Sequence, residues 1–203
     1  MEKICYIIAA GEIDKLDFQA ASDDLVICAD GGLSAAEKAG IQPDLIVGDF
    51  DSLGVVPTGS NVVVHPCEKD ETDSFLAIEC GINRGYKTFV MYGMLGGRID
   101  HSIANIQLLS RLSQSGMNGV LIGKNTIIET LTNSEKTFEE NEKGIISIFS
   151  LTDFSEGVTL EGLKYELNNA RLTSDFPLGI SNEFIGKKSR VSVKNGTLLL
   201  IRI

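Results

Sequence analysis

Four short segments hold most of the side chains in this sequence that could do chemistry. They are Ala29-Asp30-Gly31-Gly32, Gly48-Asp49-Phe50-Asp51-Ser52, Lys69-Asp70-Glu71-Thr72-Asp73 and Gly96-Gly97-Arg98-Ile99-Asp100-His101. Each follows an apolar run, so parallel strands would deliver all of them to one edge of a sheet. Carboxylates gathered there raise one another's pKa, and a bound cation relieves the repulsion. Asp49 and Asp51 are two apart at a strand end, where such side chains point the same way. With Asp73 they offer three oxygen ligands to Mg²⁺, an ion that also takes water and substrate phosphates. Taken singly, each acid also suits a helix cap or a solvated turn, and Asp70 is placed to cap the helix that follows.

The glycines extend the pattern. Gly31-Gly32 and Gly96-Gly97 each stand between a strand-like and a helix-like segment, where open backbone amides can face an anion. Neither forms the glycine fingerprint of a dinucleotide fold or of a P-loop. Arg98, beside Gly97, is a natural phosphate partner. His101 reads either as a base or as a residue that opens a helix, and the second reading is preferred.

These segments can act together only if the elements between them bring them together. Apolar, β-rich runs occur at 4–9, 25–29, 45–47, 62–64, 88–92 and 120–122. Most are apolar at consecutive positions, as strands covered on both faces are. Helical patterns lie between them. One covers 33–39 and ends at Gly40; a second covers 72–83 with Phe75, Ile78 and Ile82 as its stripe. A third runs from about 100 to 116 with Ile99, Ile103, Ile106 and Leu109 at helical spacing. The alternation predicts an α/β fold with a mostly parallel, doubly wound sheet and sites at the carboxyl ends of its strands.

The pattern changes near residue 125. Short strands are expected at 126–131, 145–150, 158–160 and 163–167, and Asn195-Gly196 reads as a hairpin turn within 189–203. The division is therefore an α/β domain at 1–125 and a smaller all-β sandwich at 126–203. A sheet that small has edges to cover, which favours packing against a second copy of the chain.

The 203 residues are 43% hydrophobic and carry a net charge of −10 from 28 acidic and 18 basic side chains. With a mean hydropathy of +0.10 this is a globular chain, and a pI of about 4.7 argues against sequence-independent nucleic-acid binding. Phosphate-bearing substrates stay open, because a divalent cation reverses the sign of an acidic site. The run at the N-terminus is too short for a membrane span and is followed by charges, so it reads as a buried strand, and the expected setting is the cytoplasm. Four scattered cysteines without a CxxC pair suit reduced core thiols.

Taken in order, Asp30-Gly31-Gly32, Gly48-Asp49-Phe50-Asp51-Ser52, Asp70-x-Thr72-Asp73, Gly97-Arg98-x-Asp100-His101 and Ser181-Asn182-Glu183-Phe184 resemble the thiamin pyrophosphokinase family. The resemblance spans nearly the whole chain. It implies a nucleotide-binding α/β domain, a β-sandwich and a homodimer with active sites at the interface. It also implies transfer of the pyrophosphoryl group of ATP to the hydroxyl of thiamin, giving thiamin diphosphate and AMP. By that resemblance Asp49, Asp51 and Asp73 would hold Mg²⁺, Asp30 would lie by the nucleotide, and Arg98 would offset phosphate charge. Asp70, Thr72 and Asp100 would line the meeting point of the substrates, with either Asp100 or Asp70 as proton acceptor. Ser181 and Asn182 would reach in from the partner subunit to hold thiamin. Some members of the family stack thiamin on a tryptophan; this chain has none, leaving Phe176 or Phe184 as substitutes.

Two other readings compete. Asp49-x-Asp51 after an apolar strand resembles the nucleophile pair of haloacid-dehalogenase phosphatases, though that pair normally follows the first strand. A metal-binding module without turnover would use the acids but leave Gly97-Arg98 unexplained.

Overall fold

We describe the computed structural model of the chain over residues 2–48, 71–203 and the backbone of 62–64. The non-alternating apolar runs form strands buried along their length, β1 (Ile4–Ile8), β2 (Leu25–Ala29) and β3 (Leu45–Gly48). With β4 (Val62–Val64), β5 (Thr88–Tyr92) and β6 (Asn118–Gly123) they pair in the order β6-β5-β1-β2-β3-β4. Every pairing in that row is parallel. Because neighbouring residues on a strand face opposite ways, both faces need covering. Helix α1 (Gly32–Lys38) buries Ala36 against the face bearing Tyr6, Ile8, Val26 and Cys28. Helix α2 (Asp73–Asn83) lies on the other face. A Cβ added to Gly81 there would come within 2.7 Å of the Phe89 ring and 2.9 Å of Cys5 Sγ.

Helix α3 (Ile99–Gln114) departs from the expected stripe. Its buried positions are Asn105, Leu109 and Leu112, while Ile99 and Ile103 stand exposed. The spacing of Asn105, Leu109 and Leu112 is as helical as that of the isoleucines. Hydrophobicity alone selected the wrong face over the first turns, because Asn105 satisfies its amide inside by donating from Nδ2 to the Met94 carbonyl at 2.8 Å. Asp70 lies outside the described residues, and the cap of α2 is Thr72, whose Oγ1 accepts from the Phe75 N–H at 3.2 Å.

The contacts divide the chain into one unit of Met1–Leu108 with Met117–Lys124 and a second of Leu109–Gly116 with Asn125–Ile203. The second unit contains β7 (Thr126–Thr132), β8 (Glu135–Phe138), β9 (Ile145–Ser150) and β10 (Phe154–Glu161). It continues with β11 (Leu167–Thr173), β12 (Gly179–Glu183), β13 (Ser189–Ser192) and β14 (Thr197–Arg202). These form antiparallel rows β12-β9-β14-β7 and β11-β10-β13-β8. Ile146, Ile148, Leu198 and Leu200 from the first row share one apolar core with Val158, Leu160, Leu172 and Val191 from the second.

Two expectations fail here. Asn195-Gly196 is no hairpin: β13 pairs with β10 and β8, whereas β14 pairs with β7 and β9. The turn passes from one row to the other, held by Glu156 N–H on the Asn195 carbonyl (2.7 Å) and Gly196 N–H on Asn133 Oδ1 (2.9 Å). Residues 163–167 are no strand either; Leu163 makes only an isolated bridge to Phe184, and β11 starts at Leu167.

Candidate active site

A cavity of about 490 Å³ opens in the first unit where the loops after β1, β2 and β5 meet the start of α2. Its walls are residues 9–11, 29–30, 71–74 and 93–98, with His101 and Asn105. The strand order reverses between β1 and β5, so the loops leaving them diverge and open a crevice, the usual ligand site of such sheets.

The crevice has a backbone floor. Ala9 N–H donates to the Tyr92 carbonyl at 2.9 Å, and Gly11 N–H donates to that of Gly93 at 2.7 Å. Gly93 has φ +68°, and a Cβ on it would sit 2.3 Å from the Ala9 carbonyl oxygen, so only glycine allows this approach. Gly32 is required for a related reason: a Cβ there would lie 2.0 Å from the Ile8 carbonyl oxygen, where α1 crosses β1.

Among the expected site residues, Asp30, Thr72, Asp73, Gly97 and Arg98 line this one cavity. Asp30 has φ +46° at the end of β2, a left-handed conformation that aspartate tolerates better than most residues. Its N–H donates to the Val47 carbonyl at 2.8 Å. Asp73 stands in the first turn of α2, beside the helix's positive end. Gly97 has φ +62°, with nothing within 4 Å of where its Cβ would be.

Arg98 and Asp100 form an exposed pair at the rim, with Nε–Oδ1 at 3.2 Å and Nη2–Oδ2 at 2.5 Å. That guanidinium holds the Asp100 carboxyl down at about 2, helped by the His101 N–H that donates to Oδ1. Asp100 and Gly31 do not line the cavity; Gly31 lines a neighbouring cleft between residues 9–16 and α1. Asp49, Asp51 and Asp70 lie outside the described residues. Among the described residues no cluster of three or more His, Cys, Asp or Glu could hold a metal by itself. Asp30, Glu71 and Asp73 do give the wall the hard, anionic oxygens that suit Mg²⁺. Burial pushes the thiols of Cys5 and Cys28 up to about 12, so neither is a nucleophile at neutral pH.

Ser181 and Asn182 belong to the second unit. Ser181 has φ +56° at an irregularity in the β12–β9 pairing, and its N–H donates to Ser147 Oγ at 3.1 Å. Left-handed residues at bulges recur beside functional sites. Asn182 is buried, its amide turned onto the backbone of Tyr165. Phe184 is partly buried and packs edge-on against Phe138 at 5.3 Å, with its ring turned towards the core. The exposed aromatic rings of this unit are Phe154, Tyr165 and Phe176.

Asn105, which lines the cavity, was hidden in the sequence by the isoleucine stripe. The exposed ring of Tyr165 lies in the segment expected as a strand, although Lys164-Tyr165-Glu166, an aromatic between charges, signals an exposed ring.

Residues 18–121 match the family model described as thiamin pyrophosphokinase, catalytic domain, and 134–198 match thiamin pyrophosphokinase, vitamin B1 binding domain. A thiamine pyrophosphokinase of Bacillus subtilis is 32% identical over 210 residues, covering 98% of each chain. A crystal structure of thiamine pyrophosphokinase from Bacillus subtilis superposes with a TM-score of 0.86 at 30% identity, covering 99% of this chain and 98% of that one. The structure from Geobacillus thermodenitrificans gives 0.84 at 25% identity, with coverage of 98% and 96%.

Proposed function

The chain belongs to the thiamin pyrophosphokinase family, enzymes that move the pyrophosphoryl group of ATP to thiamin, and we propose that its acidic cavity is where the ATP phosphates lie. The observation that carries this is the convergence of Asp30, Thr72, Asp73, Gly97 and Arg98 on one crevice at the reversal of strand order. We read the frame as the doubly wound sheet expected from the sequence. Family membership displaces the phosphatase and inert-module readings.

The thiamin hydroxyl oxygen bonds to the β-phosphorus of ATP while the bond from that phosphorus to the α,β-bridging oxygen breaks. AMP leaves with that oxygen and its electron pair, and the hydroxyl proton passes to a carboxylate. Asp73 with Asp49 and Asp51 would hold Mg²⁺, which when bound neutralises phosphate charge. Arg98 exchanges Asp100 for a phosphate oxygen. Both members of the pair are exposed, so little opposes the exchange. As Arg98 leaves, Asp100 regains basicity; Asp70 is the other candidate for the proton.

Thiamin would lie on the second unit, near Ser181, and we take Tyr165 as the surface for its ring. Tyr165 is 60% exposed and is hydrogen-bonded through its backbone to Asn182 beside Ser181, whereas Phe184 is partly buried against the core. We also propose a homodimer in which the partner subunit's sandwich completes each active site. It is supported by exposed Phe176, Leu178 and Ile180 on and before β12, an edge strand of its row. The setting is the cytoplasm, which suits the free thiols of Cys5, Cys28 and Cys80.

Calorimetric titration with a non-hydrolysable ATP analogue and Mg²⁺ tests the phosphate site. Asp73→Asn should weaken binding at least tenfold and abolish turnover while leaving thermal unfolding within a few degrees of the parent. Unchanged binding and turnover would remove Asp73 from the site.

A further inference from the structure

Asn182 is 2% exposed, and its side chain serves one neighbour almost entirely. Oδ1 accepts from the N–H groups of Tyr165 and Glu183, both at 2.9 Å, and Nδ2 donates to the Tyr165 carbonyl at 2.7 Å. Both lone-pair directions of the oxygen and one of the two amide protons are thus used inside the protein. The side chain closes on both backbone groups of Tyr165 as a neighbouring strand would.

Other ties hold the same segment. Lys164 N–H donates to the Glu183 carbonyl at 3.0 Å, Lys164 Nζ meets Glu183 Oε1 at 2.7 Å, and buried Leu163 bridges Phe184. Residues 162–166 join β10 to β11 and lie in no named strand, yet they are strapped to β12 at several points. The Tyr165 ring nonetheless faces solvent, with Lys164 Nζ 5.5 Å from its centroid. A chain this firmly tied beneath an open aromatic ring has already lost the freedom that ligand binding would otherwise remove.

We infer that Asn182 is a positioning residue that fixes Tyr165 as the thiamin ring platform and does not itself touch thiamin. This rests on the placement of thiamin on Tyr165 proposed above. It differs from the expectation drawn from family resemblance, in which Asn182 holds the substrate directly.

A double-mutant cycle on the full-length enzyme separates the two roles. Tyr165→Ala should raise KM for thiamin about tenfold or more, with KM for ATP unchanged. Asn182→Ala should do nearly the same, and the double variant should be no worse than Tyr165→Ala. Multiplying effects in the double variant would overturn the positioning role while leaving the platform intact. No effect from Tyr165→Ala would overturn the platform itself, and the inference with it.

A spectroscopic readout covers the case in which Asn182→Ala folds poorly. Tyr165→Trp gives the protein its one tryptophan, and thiamin should quench its emission. Added to that background, Asn182→Asp keeps the two accepted bonds and should retain more of the quenching than Asn182→Ala. Equal quenching with Asn, Asp and Ala at 182 would contradict the inference.

Discussion

At the scale of single residues, the rim pair decides how the cavity meets an anion. Arg98 is held by a carboxylate two positions on, and the hold is mutual: the guanidinium keeps Asp100 ionised down to about 2, below its usual 3.8. A carboxyl depressed in the folded state stabilises the fold above its unfolded pKa and loses that contribution as pH falls through the folded one. The pair therefore persists through the neutral range, and its contribution disappears between roughly pH 4 and 2. A side-chain NMR titration should place the Asp100 midpoint near 2, and Arg98→Ala should return it towards 4; a parent midpoint already near 4 would show that the pair does not persist in solution. The gathering of Asp30, Asp73 and Arg98 at one cavity was legible in the sequence because each follows an apolar run that predicts a strand end. The placement of Asn105 and Tyr165 was not, because it depends on partners distant in the chain: the Met94 carbonyl for one, Asn182 for the other.

At the scale of elements, the site depends on how closely α1 approaches β1. Gly32 opens α1 directly after Asp30-Gly31, so the distance of its backbone from Ile8 sets where Asp30 stands. Gly32→Ala would place a methyl 2.0 Å from a carbonyl oxygen that cannot rotate away. The expected effect is a destabilisation of roughly 1–3 kcal/mol, read by urea unfolding, with weaker nucleotide binding. Parent stability in that variant would mean that α1 is free to shift. Periodicity located β1 to β6 within a residue or two at most ends, because each carries a run apolar at consecutive positions, as parallel strands do. It missed β8, β11 and β12, where one face is open to solvent and sequences such as Glu135-Lys136-Thr137-Phe138 look like loop. The Asn195-Gly196 turn was seen correctly as a turn and misread as a hairpin, since turn chemistry does not say which strand the chain will join next.

At the scale of the whole molecule, a charge of −10 favours the approach of cationic thiamin and opposes that of free ATP. Both fit the proposal that the nucleotide arrives with Mg²⁺. The proposed dimer makes the sandwich of one subunit part of its partner's site, so turnover and association should fail together. Ile180→Lys places a charge on the β12 edge and should shift sedimentation towards a monomer with little activity; a fully active monomer would contradict the shared site.

In the proposed reaction this chain transfers two phosphoryl units at once, with attack at the β-phosphorus of ATP. The most direct measurement is a product assay with ATP, Mg²⁺ and thiamin that resolves AMP from ADP. Equal amounts of AMP and thiamin diphosphate are the predicted result. ADP with thiamin monophosphate would show attack at the γ-phosphorus and rule out pyrophosphoryl transfer.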